Sequence, residues 1–152
     1  INELFEEYNM DYYPLYCVKH KYEPTEEFKM DGKKQEHYRR KNWSSLILWN
    51  CGHDLNKRLT PLEVNTQTGS WLHGFQWLPD KEGDIGSMHQ EWNWLDGHSP
   101  KEIEAKNVHF TTGGPWFREW KCAREIDGRY ASEWNGDYTY LAGKGIIQPY
   151  DI

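Results

Sequence analysis

The 152-residue chain reads as a mixed α/β unit with flanking helices. Three observations lead there. Short apolar runs of strand length stand at residues 15–18 and 43–51. A third, KNVHFT, follows at 106–111. Between them Thr60-Pro61-Leu62-Glu63 carries a helix start, with a hydroxyl at the cap, proline in the first helical position and glutamate three residues after the cap.

Each element follows in order. Asn2 suits the cap of a short helix in which Leu4, Phe5 and Tyr8 share one face. Pro14 ends the next turn, and Leu15-Tyr16-Cys17-Val18 is a strand. Residues 19–41 are polar, carry Pro24 and Gly32, and read as a long loop. WSSLILWNC at 43–51 is the best buried strand. The helix from Thr60 runs to about Thr66, and residues 69–75 hold a second helical segment. Residues 77–84 are rich in turn formers, and 91–95 are compact and aromatic. Gly113-Gly114-Pro115 breaks the third strand, and residues 130–141 form a weak terminal helix. No internal repeat or linker divides residues 1–152, so a single α/β unit is expected.

Composition narrows the function classes. Ile, Leu, Val and Phe number 27, about 18% of the chain, below the roughly 20% that usually accompanies disorder. Nine Trp and ten Tyr reverse that inference, because each large ring buries roughly 150–250 Å². Mean hydropathy is -1.00, and no stretch approaches the roughly 18–20 apolar residues of a membrane span. No basic segment precedes an apolar one, so no signal peptide is visible. A net charge of -6 argues against nucleic acid as partner. Cys17, Cys51 and Cys122 are odd in number and lack CxxC spacing, which suits reduced thiols in a cytoplasmic protein. The chain begins at Ile1 and not at Met, which suggests a processed or truncated start.

Generic catalytic signatures are absent: there is no P-loop, GxSxG, HExxH or complete GxGxxG. Three segments nevertheless carry chemistry. Arg39-Arg40-Lys41-Asn42-Trp43-Ser44-Ser45 brings charge and hydrogen-bonding groups to the start of a strand, where α/β sheets border ligand crevices and Arg or Lys suits phosphate. Glu91-Trp92-Asn93-Trp94-Leu95 sets a carboxylate and an amide among indoles, a combination that grips sugar hydroxyls and stacks on sugar faces. His109-Phe110-Thr111-Thr112-Gly113-Gly114-Pro115-Trp116 places an imidazole beside glycine N–H groups that an anion can approach. Each segment also has a plain structural reading: a solvated loop, core indoles, and a strand-to-turn junction.

The order and spacing of VKH at 18–20, KMDGKKQ at 29–35, RKNWSSLILWNC at 40–51, LTPLEVNT at 59–66, EWNWLDG at 91–97 and VHFTTGGPWF at 108–117 resemble a bacterial and phage type of glycosyltransferase related to the glycogenin-like, GT-A-fold enzymes. The resemblance implies a partial GT-A (nucleotide-diphospho-sugar transferase) fold, with a mixed sheet and flanking helices, in which this chain is the C-terminal portion and the nucleotide-binding half is missing. It implies a nucleotide-sugar donor, a carbohydrate or other hydroxyl acceptor, and Mn²⁺ or another divalent cation bridging the donor diphosphate. His109 matches the family's histidine ligand to that cation. Gly113 and Gly114 supply backbone N–H groups to the diphosphate, and Gly114 stands where relatives carry a phosphate-binding lysine, so Arg40 or Lys41 must replace it. Asn42, Ser44 and Ser45 match the polar strand start near the donor sugar. Glu91 matches a catalytic carboxylate on the acceptor side, flanked by Trp92 and Asn93, with Trp116 also near the acceptor. No role attaches to KMDGKKQ. The family's Asp-x-Asp metal motif occurs nowhere in these residues, Glu82-Gly83-Asp84 being the nearest imitation, so the chain alone is expected to be inactive.

Two other readings compete. A non-catalytic carbohydrate-binding module would present two or three Trp on one flat face away from His109. A structural α/β domain would close the His109 loop inside its core.

Overall fold

The computed structural model describes residues 2–29, 31–80, 82–117 and 129–147. Its elements are α1 (Asn2–Glu7), β1 (Leu15–Cys17), β2 (Ile47–Trp49), α2 (Pro61–Thr66), α3 (Gly69–His73), β3 (Ile85–Ser87), β4 (Trp94–Leu95), β5 (Val108–His109) and α4 (Ala131–Gly143). They form a mixed α/β structure. β1 is the centre of a three-stranded sheet of order β2-β1-β3, antiparallel to β2 and parallel to β3. β4 and β5 pair in parallel as a second, two-stranded sheet.

Side chains alternate across a strand, and β1 uses both faces. Tyr16 and neighbouring Val18 join Leu48, Met88 and Trp92 beneath Leu4 and Tyr8 from the α1 end of the chain. Leu15 and Cys17 point the other way, into Phe75, Trp77, Leu78 and Ile85. The register explains one glycine: Gly86 lies opposite Tyr16, and a Cβ there would run into the Tyr16 ring. Indoles make up much of this core, and their N–H groups are anchored: Trp77 Nε1 donates to Asn56 Oδ1 at 3.4 Å, and Trp94 Nε1 to Pro100 O at 3.0 Å.

Local signals explain the helices. Thr60 Oγ1 accepts from Glu63 N at 3.2 Å, and Thr68 Oγ1 accepts from Trp71 N at the same distance, so hydroxyl caps start both α2 and α3. Asn2 is the first residue of α1 and not its cap. Trp134 of α4 lies 5.2 Å from Trp116, ring centre to ring centre, and stacks on Tyr138, so aromatic contact seats that helix.

The expected strand at 43–51 needs correction. Trp43–Ser45 is a single 3-10 turn, Leu46 returns to extended backbone, and only Ile47–Trp49 pairs. The cause is Asn42, whose φ of 65° puts the chain in the left-handed region just before the apolar run. Strands β3 and β4 were not foreseen: Ile85-Gly86-Ser87 is too short to show alternation and has glycine at its centre, while Trp94–Leu95 has two residues.

Leu15 has no exposed surface and sits at the middle of the sheet. Leu15→Ala should therefore destabilise the chain by about 2–5 kcal/mol, read as a lowered urea midpoint with unchanged slope.

Candidate functional site

Sheet direction gathers the chemistry at one end. β1 runs out through Val18 to His20, whose N–H donates to Val18 O at 3.0 Å. Because β2 is antiparallel to β1, with Cys17 opposite Ile47, the segment leading into β2 arrives at that same end. Trp43 Nε1 donates to His20 O at 2.8 Å and ties the two together.

Asn42 is the hub. Its amide Nδ2 donates to Thr111 Oγ1 at 2.9 Å, and Thr111 Oγ1 lies 3.2 Å from Asn42 Oδ1. Thr111 stands two residues beyond His109, so this contact brings the end of β5 to the start of β2. Asn93, fully buried, donates from Nδ2 to Ser45 Oγ at 2.7 Å and to Asn42 O at 3.3 Å, while Ser45 Oγ donates to Asn42 O at 2.6 Å. Asn42, Ser45 and Asn93 thus engage one another and brace the site. Ser44 turns aside, sharing a 2.7 Å hydrogen bond with His73 Nδ1.

Two buried cations precede the hub. Arg40 also has φ of 65°, unusual for a side chain of this size, donates from Nη1 to Gly74 O at 2.7 Å and lies over the Trp43 ring. Lys41 is only 7% exposed; its ammonium donates to Glu36 O at 2.7 Å and faces the Tyr38 ring at 4.8 Å. Burial, with Lys29 nearby, lowers the Lys41 pKa; burial, with Arg39, lowers that of Arg40. Arg39, Arg40 and Lys41 line a cleft of about 610 Å³ with His20, Lys21, Tyr22, Glu23 and Tyr38. In an acidic protein this is a local concentration of positive charge.

His20 and His109 complete the site. His20 Nε2 and His109 Nδ1 are buried and have no hydrogen-bond partner among the described residues. Burial, reinforced by the neighbouring His109, pushes the His20 pKa down to about 4. Burial and the charge of Lys29 lower His109 as well. Both rings are therefore neutral at pH 7. Lys29 comes from the KMDGKKQ stretch, which folds into a tight hairpin: Lys29 N donates to Lys33 O at 2.8 Å, and Gly32 takes the left-handed turn position with φ of 77°.

Other expected residues lie elsewhere. Glu91 is ion-paired to Lys106 at 2.8 Å, beside Glu3 and Glu7, and does not join the His109 cluster. Trp92 is a core residue whose Nε1 donates to Glu7 Oε2 at 2.9 Å; that bond is the main reason the Glu7 pKa is lowered. Trp116 packs among Phe110, Phe117 and Trp134. Gly114 is a packing glycine, because a Cβ there would enter the Trp116 ring, and Gly113 adopts φ of 149°, which L side chains rarely take. Cys17 is buried, with its thiol pushed up to about 12 by burial, and Cys51 is exposed. Cys122 lies outside the described residues.

Residue-type patterns did not single out His20, Lys29 or Asp96. Asp96, 3% exposed, follows β4 and donates its N–H to His109 O at 3.0 Å. His20 was marked only by closing the family-like VKH segment at 18–20, just past an apolar strand, with no role attached to it. Among the described residues no group of three or more His, Cys, Asp or Glu side chains could hold a metal, and no helix is long and apolar enough to cross a membrane.

The chain is similar to Protein CDI of Arabidopsis thaliana, with 52% identity over 122 residues. That match covers 77% of this chain and 46% of the relative, so the chain spans about half the length of the curated protein it matches. No protein-family profile and no solved structure matches.

Two outcomes test the site. Asn93→Leu removes the donor to Ser45 Oγ and Asn42 O in a buried place and should cost about 2–4 kcal/mol, seen by urea denaturation. In the metal-free protein, stability should fall as pH drops from 6.5 toward 4.5. His20 has a folded pKa near 4, below its unfolded 6.5, so the unfolded chain takes up the proton first and native stability is lost on acidification. The loss contributed by His20 approaches roughly 3 kcal/mol near pH 4. His20→Phe should flatten that dependence; an unchanged slope would contradict the assignment.

Proposed function

We propose that the chain is part of a GT-A-type glycosyltransferase that moves a sugar from a nucleotide-sugar donor to a hydroxyl acceptor with the help of a divalent cation. The observation that carries the reading is that two buried cations, Arg40 and Lys41, line a cleft with His20 at the carboxyl end of β1, and that Asn42 joins this wall through Thr111 to the carboxyl end of β5. Ligands of open α/β sheets bind outside the carboxyl ends of strands. A diphosphate is the ligand charge that such a cluster of cations would attract.

The proposed chemistry follows from these groups. When the bond from the sugar's anomeric carbon to the donor diphosphate breaks, negative charge grows on the departing phosphate oxygen. Lys41 and Arg40 would stabilise that charge from positions already fixed by their bonds to the Glu36 and Gly74 carbonyls, so little reorganisation is required as the bond breaks. Lys29 adds a further positive charge that acts on Lys41. Asn42, Ser45 and Asn93 keep this wall rigid and act as positioning residues.

The donor set also suits a metal in part. Imidazole nitrogen suits Zn²⁺, Fe²⁺, Cu²⁺ or Ni²⁺ better than Mn²⁺, which favours oxygen ligands, so a Mn²⁺ site would depend on the carboxylates of an Asp-x-Asp that these 152 residues lack. When bound, such a cation would neutralise the diphosphate and so ease its departure. The acceptor's proton is not assigned to Glu91, whose carboxylate is committed to Lys106. A sugar-binding module finds less support, since every described tryptophan is buried or half-buried.

Calorimetry with a nucleoside diphosphate and Mn²⁺ on the full-length parent protein should show binding that weakens at least tenfold in Lys41→Ala and loses its metal dependence in His109→Ala. Equal affinity in all three proteins would sink the reading.

A further inference from the structure

Resting on that reading, we propose that Arg39 is a third phosphate-binding cation of the cleft, held by Glu82 until an incoming diphosphate displaces the carboxylate. The consecutive cations Arg39, Arg40 and Lys41 differ in what they are bonded to. Arg40 and Lys41 are buried and donate to backbone carbonyls, those of Gly74 and Glu36. Arg39 is exposed and donates from Nη2 to Glu82 Oε1 at 3.0 Å. It lines the cleft of about 610 Å³ and also a cavity of about 430 Å³ formed with Tyr22, Glu23, Pro24, His37 and Tyr38. Tyr22, Glu23, Tyr38 and Arg39 belong to both, so Arg39 stands where the two spaces meet.

An exposed ion pair contributes little, because water competes for both partners. The side chains of Arg39 and Glu82 are 62% and 67% exposed, so their pair opens readily. A diphosphate offers more negative charge than one carboxylate, and the guanidinium fork binds phosphate oxygens two at a time. Glu82 is presented from a braced turn. Asp84 N donates to Asp80 O at 2.9 Å, Gly83 N donates to Asp80 Oδ1 at 3.2 Å, and Glu82 O accepts from Lys19 Nζ at 3.4 Å. Its charge also acts on Arg40: burial chiefly, then Arg39, weaken the hold of Arg40 on its proton, and Glu82 opposes them. Glu82 thus supplies the counter-charge that a bound diphosphate would supply, which gives Glu82-Gly83-Asp84 a role other than metal binding.

Inorganic pyrophosphate, titrated calorimetrically into the full-length parent protein without metal, reads the exchange. Glu82→Gln should tighten binding about two- to fivefold, the worth of an exposed ion pair. Arg39→Gln should weaken it about tenfold, and adding Glu82→Gln to that variant should change nothing further. Both side chains are exposed, so neither substitution disturbs the core. An equal gain from Glu82→Gln with and without Arg39 means that Glu82 acts only by long-range charge, and it overturns the exchange. Full affinity in Arg39→Gln, or no gain in Glu82→Gln, overturns it as well. Each of these results leaves the glycosyltransferase reading standing. Failure of both the unaltered protein and Glu82→Gln to bind pyrophosphate is the separate outcome that removes the cleft as an anion site, and the broader reading with it.

Discussion

The paired contact between the Asn42 amide and Thr111 Oγ1 decides how the rest of the molecule can be arranged. It is buried, so neither partner can turn to water, and it joins segments that belong to different sheets. Asn42 makes it from a left-handed backbone, followed by Trp43 bonded to the His20 carbonyl and preceded by Arg40, itself left-handed and bonded to the Gly74 carbonyl. Asparagine tolerates this conformation better than most residues, which explains its presence where the apolar run begins.

Around that contact the site has a division of labour. Polar residues that look from sequence like ligand contacts, namely Asn42, Ser45 and Asn93, satisfy each other. Buried nitrogens of His20 and His109 are left without such partners, as is Asn93 Oδ1 within the bracing group itself. Glu91 and Trp92 serve a further purpose: with Glu3, Glu7 and Lys106 they fasten the first helix to the β4–β5 sheet.

Much of the fold was legible where a local rule carried it. Thr60 and Thr68 cap helices through their own hydroxyls, and Leu15-Tyr16-Cys17 pairs as a strand with both faces buried. What escaped was set by distant partners. Ile85-Gly86-Ser87 is a strand only because β1 lies beside it, and Gly86 is explained only by the Tyr16 ring. The site divides in the same way. Arg40 and Lys41 were recognisable from their charge beside a strand, and His109 from its family-like segment. His20 was invisible by residue type, because what distinguishes it is the absence of a partner after folding. Glu91 looked reactive because nothing local revealed Lys106, fifteen residues later.

The aromatic core has a consequence for how narrowly the native state is defined. An aliphatic interior can exchange one packing for another at small cost, since its side chains have no preferred direction. Here the indoles of Trp43, Trp77, Trp92 and Trp94 each point a single donor at a particular acceptor: a backbone carbonyl, an amide oxygen or a carboxylate. Rotating such a ring breaks a bond as well as a contact, so alternative packings are penalised twice. A chain poor in aliphatic carbon thereby gains conformational uniqueness from chemistry that would otherwise only supply bulk.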